Sequence, residues 1–188
     1  MANGNDVKVS KDVYVGPKEK KDGFQFAKYK GVEIPFSDKL KEGNDWVIKE
    51  DGDGRFGWRL DPKEKDPDKA KKEFHQGQDI GVKVGRDVHV LHDGRVTIKD
   101  SGSDGYGKHI IVDTGLLGIR KTLYAHLSGF NVKDKQDVKR GDLIGYTGNS
   151  GRSTGAHLHW EEYIYGVPVD PLKINKRMDW NYYNEMNR

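Results

Sequence analysis

"DVHVLHDGRVTIKD", residues 87–100, reads as two β-branched runs with an Asp-Gly turn between them. Val88, Val90, Val96, Thr97 and Ile98 favour a pleated, half-buried backbone. Asp93-Gly94 is a hairpin-type pair. Outward from it the same texture repeats: "DIGVKVG" (79–85), "KHIIVDTG" (108–115), "KTLYAHLSGFNV" (121–132), "DLIGYTG" (142–148) and "HLHWEEYI" (157–164). "GSDGYG" (102–107) is a second hairpin signal. Short strands at close spacing, with almost no helical periodicity, predict a mostly β domain. The expected fold is an antiparallel β-sandwich or partly open barrel that forms a groove.

The flanks differ in character. Residues 1–50 are Lys/Asp-rich with scattered aromatics (Tyr14, Phe24, Phe26, Tyr29, Phe36, Trp46) and read as a loop-rich N-terminal extension. "KYKGVEIPF" (28–36) allows one strand, and Pro35 makes it an edge. "KEKDPDKAKKE" (63–73) reads as a charged surface insertion. The expected division is an extension over 1–50, a domain over 51–175 and a polar, aromatic tail over 176–188.

The chain has 188 residues, a net charge of +3 and no cysteine. Acidic and basic residues are interleaved, so no nucleic-acid arm or membrane patch is expected. No apolar run approaches the length of a membrane span, and no signal peptide is visible. Without cysteine, the strong metal ligands left are His, Asp and Glu.

In "GAHLHWEE" (155–162), strand alternation turns His157 and His159 to one face and Leu158 to the other. "FHQGQDIG" (74–81) adds His75 and Asp79, with His75 entering from a loop and Asp79 opening a strand. One histidine of the 157/159 pair would make three protein ligands, leaving a fourth tetrahedral position open as in catalytic zinc sites. His89, His92 and His109 have no such partner spacing and read as structural or solvated. "GNSGRSTGAH" (148–157) lacks the ending of a phosphate loop, and reads as a tight loop walling the groove. Tyr106, Tyr124, Tyr146, Asn149, Arg152 and Ser153 are candidate groove residues.

"HQGQDIG", "YAHLS", "VKRGDLIGYTGNSGRSTGAHLHWE" and "VDP", in that order, resemble the signature runs of the lysostaphin-like (LytM-type) zinc endopeptidases, which cleave peptide bonds of bacterial peptidoglycan. "RFGWRLDP" (55–62) is similar to the stretch that often precedes the first ligand. The likeness covers roughly residues 55–172. It implies Zn²⁺ ligands His75, Asp79 and His159, and His126 and His157 as catalytic histidines outside the ligand set. It implies a wall peptide, stem or cross-bridge, as substrate and action outside the cell. A chain of this kind without a leader fits a phage lysin, a virion or tail component docked through its termini, or a piece of a larger exported enzyme. Ala156 and Trp160 stand where the family often has Pro and Phe. The reading from another functional class is an inactive wall-binding module on the same fold.

Overall fold

The computed structural model describes residues 23–50, 52–62, 64–66, 68–114 and 119–175. Tyr14 and the tail over 176–188 lie outside them. The architecture is mostly β, and every pairing between named strands is antiparallel.

β1 (Phe26–Tyr29) and β2 (Val32–Ser37) form a hairpin. Pro35 lies in β2, which pairs with β1 alone, so its missing N–H breaks no ladder on a second side. β3 (Trp46–Ile48) joins the main sheet. β4 (Gly57–Leu60) and β5 (Lys72–His75) form a separate hairpin, and the charged insertion is its tip. Then follow β6 (Gly77–Val82), β7 (Asp87–His89), β8 (Gly94–Asp100), β9 (Lys108–Asp113), β10 (Arg120–Phe130), β11 (Asp137–Val138), β12 (Leu143–Thr147), β13 (His157–Ile164) and β14 (Val167–Val169). A single helical turn, α1 (Pro171–Ile174), is capped by the Asp170 carboxylate, which accepts from the Leu172 N–H at 3.0 Å.

The main sheet runs β11-β8-β9-β10-β13-β6-β3, with β12 and β7 branching from β10. The expectation of open antiparallel β layers holds. "GSDGYG" does connect the hairpin β8–β9. "HDGRV" does not close one: β7 pairs with β12, and β8 with β9 and β11. Here the Asp-Gly step carries the chain from β7, beside β12, to β8, which takes its six-pair ladder with β9.

The core holds Ile80, Val88, Val96, Ile110, Leu127, Ile144, Leu158 and Trp160, and the first hairpin adds Ile34 and Phe36. The segment before residue 50 therefore contributes to the core as well as an edge strand.

β13 organises the site. Leu158, Trp160 and Glu162 point to one face, and His157, His159 and Glu161 to the other. Both faces are covered, so residues 158–162 are all buried. The polar face is therefore turned to a buried site rather than to solvent.

Candidate metal centre

Three strands bring the predicted ligands together. His159 of β13 lies directly opposite Asp79 of β6 in the ladder. His75 ends β5, a strand rather than the loop expected from the sequence, and Asp79 sits inside β6 rather than opening it. Gln76 is the single residue between β5 and β6. Gly77 makes this junction possible: a Cβ there would lie 2.7 Å from the Trp160 carbonyl oxygen and 2.8 Å from the His159 ring. Gly77→Ala is therefore expected to cost about 1–3 kcal/mol of stability and to lower bound zinc, measured by thermal unfolding and metal analysis.

The donor atoms converge. His159 Nδ1 lies 2.8 Å from Asp79 Oδ1 and 3.0 Å from His75 Nε2. Among the described residues, His75, Asp79 and His159 are the group able to hold a metal, with ligand atoms within 4.8 Å of one another. The outer hydrogen bonds fix the rings. His75 Nδ1 donates to the Arg55 carbonyl at 2.7 Å, and His159 Nε2 donates to Glu161 Oε1 at 2.8 Å. A carbonyl or carboxylate only accepts, so each outer nitrogen carries the hydrogen and each inner nitrogen of a neutral ring presents its lone pair.

Two lone pairs and a carboxylate oxygen thus face one another and call for a cation between them. Without an ion, the same donors instead draw a proton onto His159. Burial disfavours a charged His159, but hydrogen bonds to Asp79 and Glu161 outweigh it and push its pKa up to about 9. Burial likewise opposes ionisation of Asp79, yet the bonds from His159 and His75 hold its carboxyl well below the usual range. Two imidazoles and one carboxylate, buried and braced from behind, fit Zn²⁺. The brace is Glu161, which also accepts from the Tyr106 hydroxyl at 2.7 Å and the Tyr163 hydroxyl at 2.5 Å.

His126 and His157 stand beside this centre with rings 4.6 Å apart, and His126 is 5.7 Å from His159. Each donates Nδ1–H to a carbonyl of the loop over 148–156: His126 to Ser150 at 2.7 Å and His157 to Gly155 at 2.8 Å. His157 Nε2 comes within 3.7 Å of Asp79 Oδ1. Burial pushes both rings below the ordinary histidine range, His126 to about 4 with further lowering from His157.

His126 occupies an irregularity in β10. The register with β9 shifts between Tyr124 and Leu127, and His126 has φ +59°. Its N–H donates to Tyr106 rather than to a strand partner. A bulge here re-aims one side chain at the site. "YAHLS" carries no local mark of that bend.

The centre opens into a cleft of about 560 Å³. Tyr106, Arg152 and Ser153 line it as expected. Tyr124 does not: it is fully buried, and its hydroxyl accepts from the Leu91 N–H. Tyr146 turns to Asn131, and Asn149 is not among the lining residues. Sequence reasoning missed Lys49 and Arg59 as lining residues and Glu161 as the brace. Glu161 was findable, since it shares the strand parity of His157 and His159. His89, His92 and His109 bond to Gly141, to Thr122 and Asp93, and to Gly107, away from the centre.

Residues 73–171 match Peptidase family M23. The chain belongs to this family. Relatives of this M23 chain include the peptidoglycan DD-endopeptidase ShyA of Vibrio cholerae, 34% identical over 66% of this chain and 28% of its own length. The glycyl-glycine endopeptidase ALE-1 of Staphylococcus capitis is 38% identical over 54% of this chain and 29% of its own. The chain thus spans under a third of the length of these curated relatives. Among solved structures, the lysostaphin catalytic domain from Staphylococcus simulans superposes with a TM-score of 0.55 at 27% identity, covering 66% of this chain and 90% of that one. The catalytic domain of the prophage-encoded M23 protein EnpA from Enterococcus faecalis gives 0.53 at 27% identity, covering 69% and 91%.

Proposed function

We propose that the chain is a zinc endopeptidase that hydrolyses peptide bonds of bacterial peptidoglycan outside the cell. The observation that carries this is the inward set of His75 Nε2, Asp79 Oδ1 and His159 Nδ1, with two unligated imidazoles beside it. The M23 membership and the wall-cutting relatives support it. The working unit is wider than residues 51–175, since the segment from β1 to Lys49 supplies core residues, a strand beside β6 and a cleft-lining cation. A phage setting is part of the proposal, and its support is the prophage-encoded structural neighbour.

His75, Asp79 and His159 would hold the ion. Zn²⁺, when bound, supplies Lewis acidity that polarises a carbonyl and makes a nucleophile from water at neutral pH. His157 acts as general base: its Nδ1–H is committed to Gly155, so Nε2 is free to take a proton on the Asp79 side. His126, oriented in the same way by Ser150, is the partner ring. Rings this close resist double protonation, so the pair carries one proton at a time. That is the stoichiometry of taking a proton from water and returning it to the leaving amine.

Chelation tests the reading. Release of free amino groups from purified walls should stop when zinc is removed and return when it is added. Wall binding without new amino groups would instead support an inactive module. The acid limb is a second check. Lowered pKa values keep both rings neutral below the usual histidine range, so kcat/KM should persist below about pH 6.5, where a free histidine protonates. It should fall at lower pH, once His157 protonates, and be lost by about 4, where His126 protonates too. A limb centred above pH 7 would contradict the assignment.

A further inference from the structure

The cleft carries charges of both signs, and most are already engaged. Arg59 is held by Glu73 at 2.8 Å and lies 3.8 Å from Asp79. Arg152 pairs with Asp61 at 3.3 Å across the mouth. Lys49 is different: it is exposed and lines the cleft, and among the described residues it makes no ion pair.

Its backbone is anchored, which fixes where the side chain starts. The Lys49 N–H donates to the Asp79 carbonyl, and its own carbonyl accepts from the Gln78 amide at 2.8 Å. The side-chain stem runs beside Gly81, where a Cβ would lie 3.8 Å from Lys49 Cε. Gly81 is the ladder partner of His157. The ammonium therefore sits on the His157 side of the centre, and its charge adds to the lowering of the His157 pKa. Asp53 is the other lining charge without an ion pair among the described residues; its carbonyl accepts from the Arg59 guanidinium, and the Lys49 stem begins beside its neighbour Gly54 before reaching Gly81. Lys49 lies outside the family-matched residues 73–171.

We propose that Lys49 anchors a free carboxylate of the substrate peptide on the His157 side of the cleft, making the enzyme selective for acidic over amidated peptides. An ammonium with no ion pair among the described residues, on a stem laid past Gly54 and Gly81 at the rim of a site that must seat a peptide, is a point charge awaiting a counterion. The contact positions substrate and takes no part in bond breaking. The inference rests on the peptidase reading above.

The test uses two wall-derived peptides that differ in one group, a carboxylate or its carboxamide near the scissile bond. Wild type should show higher kcat/KM on the carboxylate form, by about fivefold for an exposed pair. The preference should shrink as salt is raised. Lys49→Met should abolish it by losing rate on the carboxylate peptide alone, and Lys49→Arg should keep most of it. Equal losses on both peptides, or no preference in wild type, would overturn the proposal while leaving the peptidase reading intact. Failure of wild type to cut either peptide would overturn both.

Discussion

His157→Ala is expected to retain a full complement of zinc while losing about 10²–10⁴ in kcat. His159→Ala is expected to lose metal and activity together. The two residues are one position apart on the same strand face, so composition and spacing treat them alike. Their surroundings do not. His159 Nδ1 is within 3.0 Å of both other inward donor atoms, and its outer nitrogen is bonded to buried Glu161. His157 Nε2 approaches only Asp79, at 3.7 Å, and its outer nitrogen is held by a loop carbonyl. Removing His157 leaves all three inward donors in place. Removing His159 leaves two and leaves the Glu161 carboxylate with only the Tyr106 and Tyr163 hydroxyls among these donors. Metal content per folded chain and turnover on a soluble wall peptide, measured together, separate the two roles. Zinc loss in His157→Ala would reassign it as a ligand, and activity in His159→Ala would remove the basis of the site.

Much of this was legible in the chain because strand period and turn chemistry are local. Parity alone placed His157 and His159 on one face, and the Gly-rich runs marked the hairpins. What stayed hidden depends on partners distant in sequence. The Asp93-Gly94 turn looked like a hairpin, but pairing was decided by the ladders available to β7 and β8. Tyr124 looked like a groove residue because an aromatic at a strand position gives no sign of which face is wet; it is buried. His126 reaches the site through a positive φ that its neighbours Tyr124, Ala125 and Leu127 do not announce. Trp46 to Lys49 read as part of an extension, since an edge strand of three residues has too few positions to show a period.

Arg120→Met is expected to be the most damaging change on the far side of the sheet, lowering stability by about 3 kcal/mol. At the size of this chain that is a fall in Tm of roughly 6–12 °C. Glu162 is completely buried on the face opposite the metal centre. It accepts from Arg120 Nε at 2.9 Å and Nη2 at 3.0 Å, from the Thr122 hydroxyl at 2.8 Å, from the Trp160 indole at 3.1 Å and from the Asn175 amide at 3.0 Å. Arg120 is the one cation among these donors. Without it a buried negative charge faces neutral dipoles alone, and their hydrogen bonds offset only part of the desolvation. The Arg120 side chain is 25% exposed, which admits some water to the gap and places the loss at the lower end of the range for broken buried pairs. Removing both charges is a different experiment. Arg120→Met combined with Glu162→Gln takes away the uncompensated charge, so most of the stability should return. Because Glu162 and Glu161 are consecutive but face opposite sides of β13, zinc content at low temperature should be unchanged in either variant. If the double variant is no more stable than Arg120→Met, the pair contributes through packing rather than charge, and the loss belongs to the arginine stem.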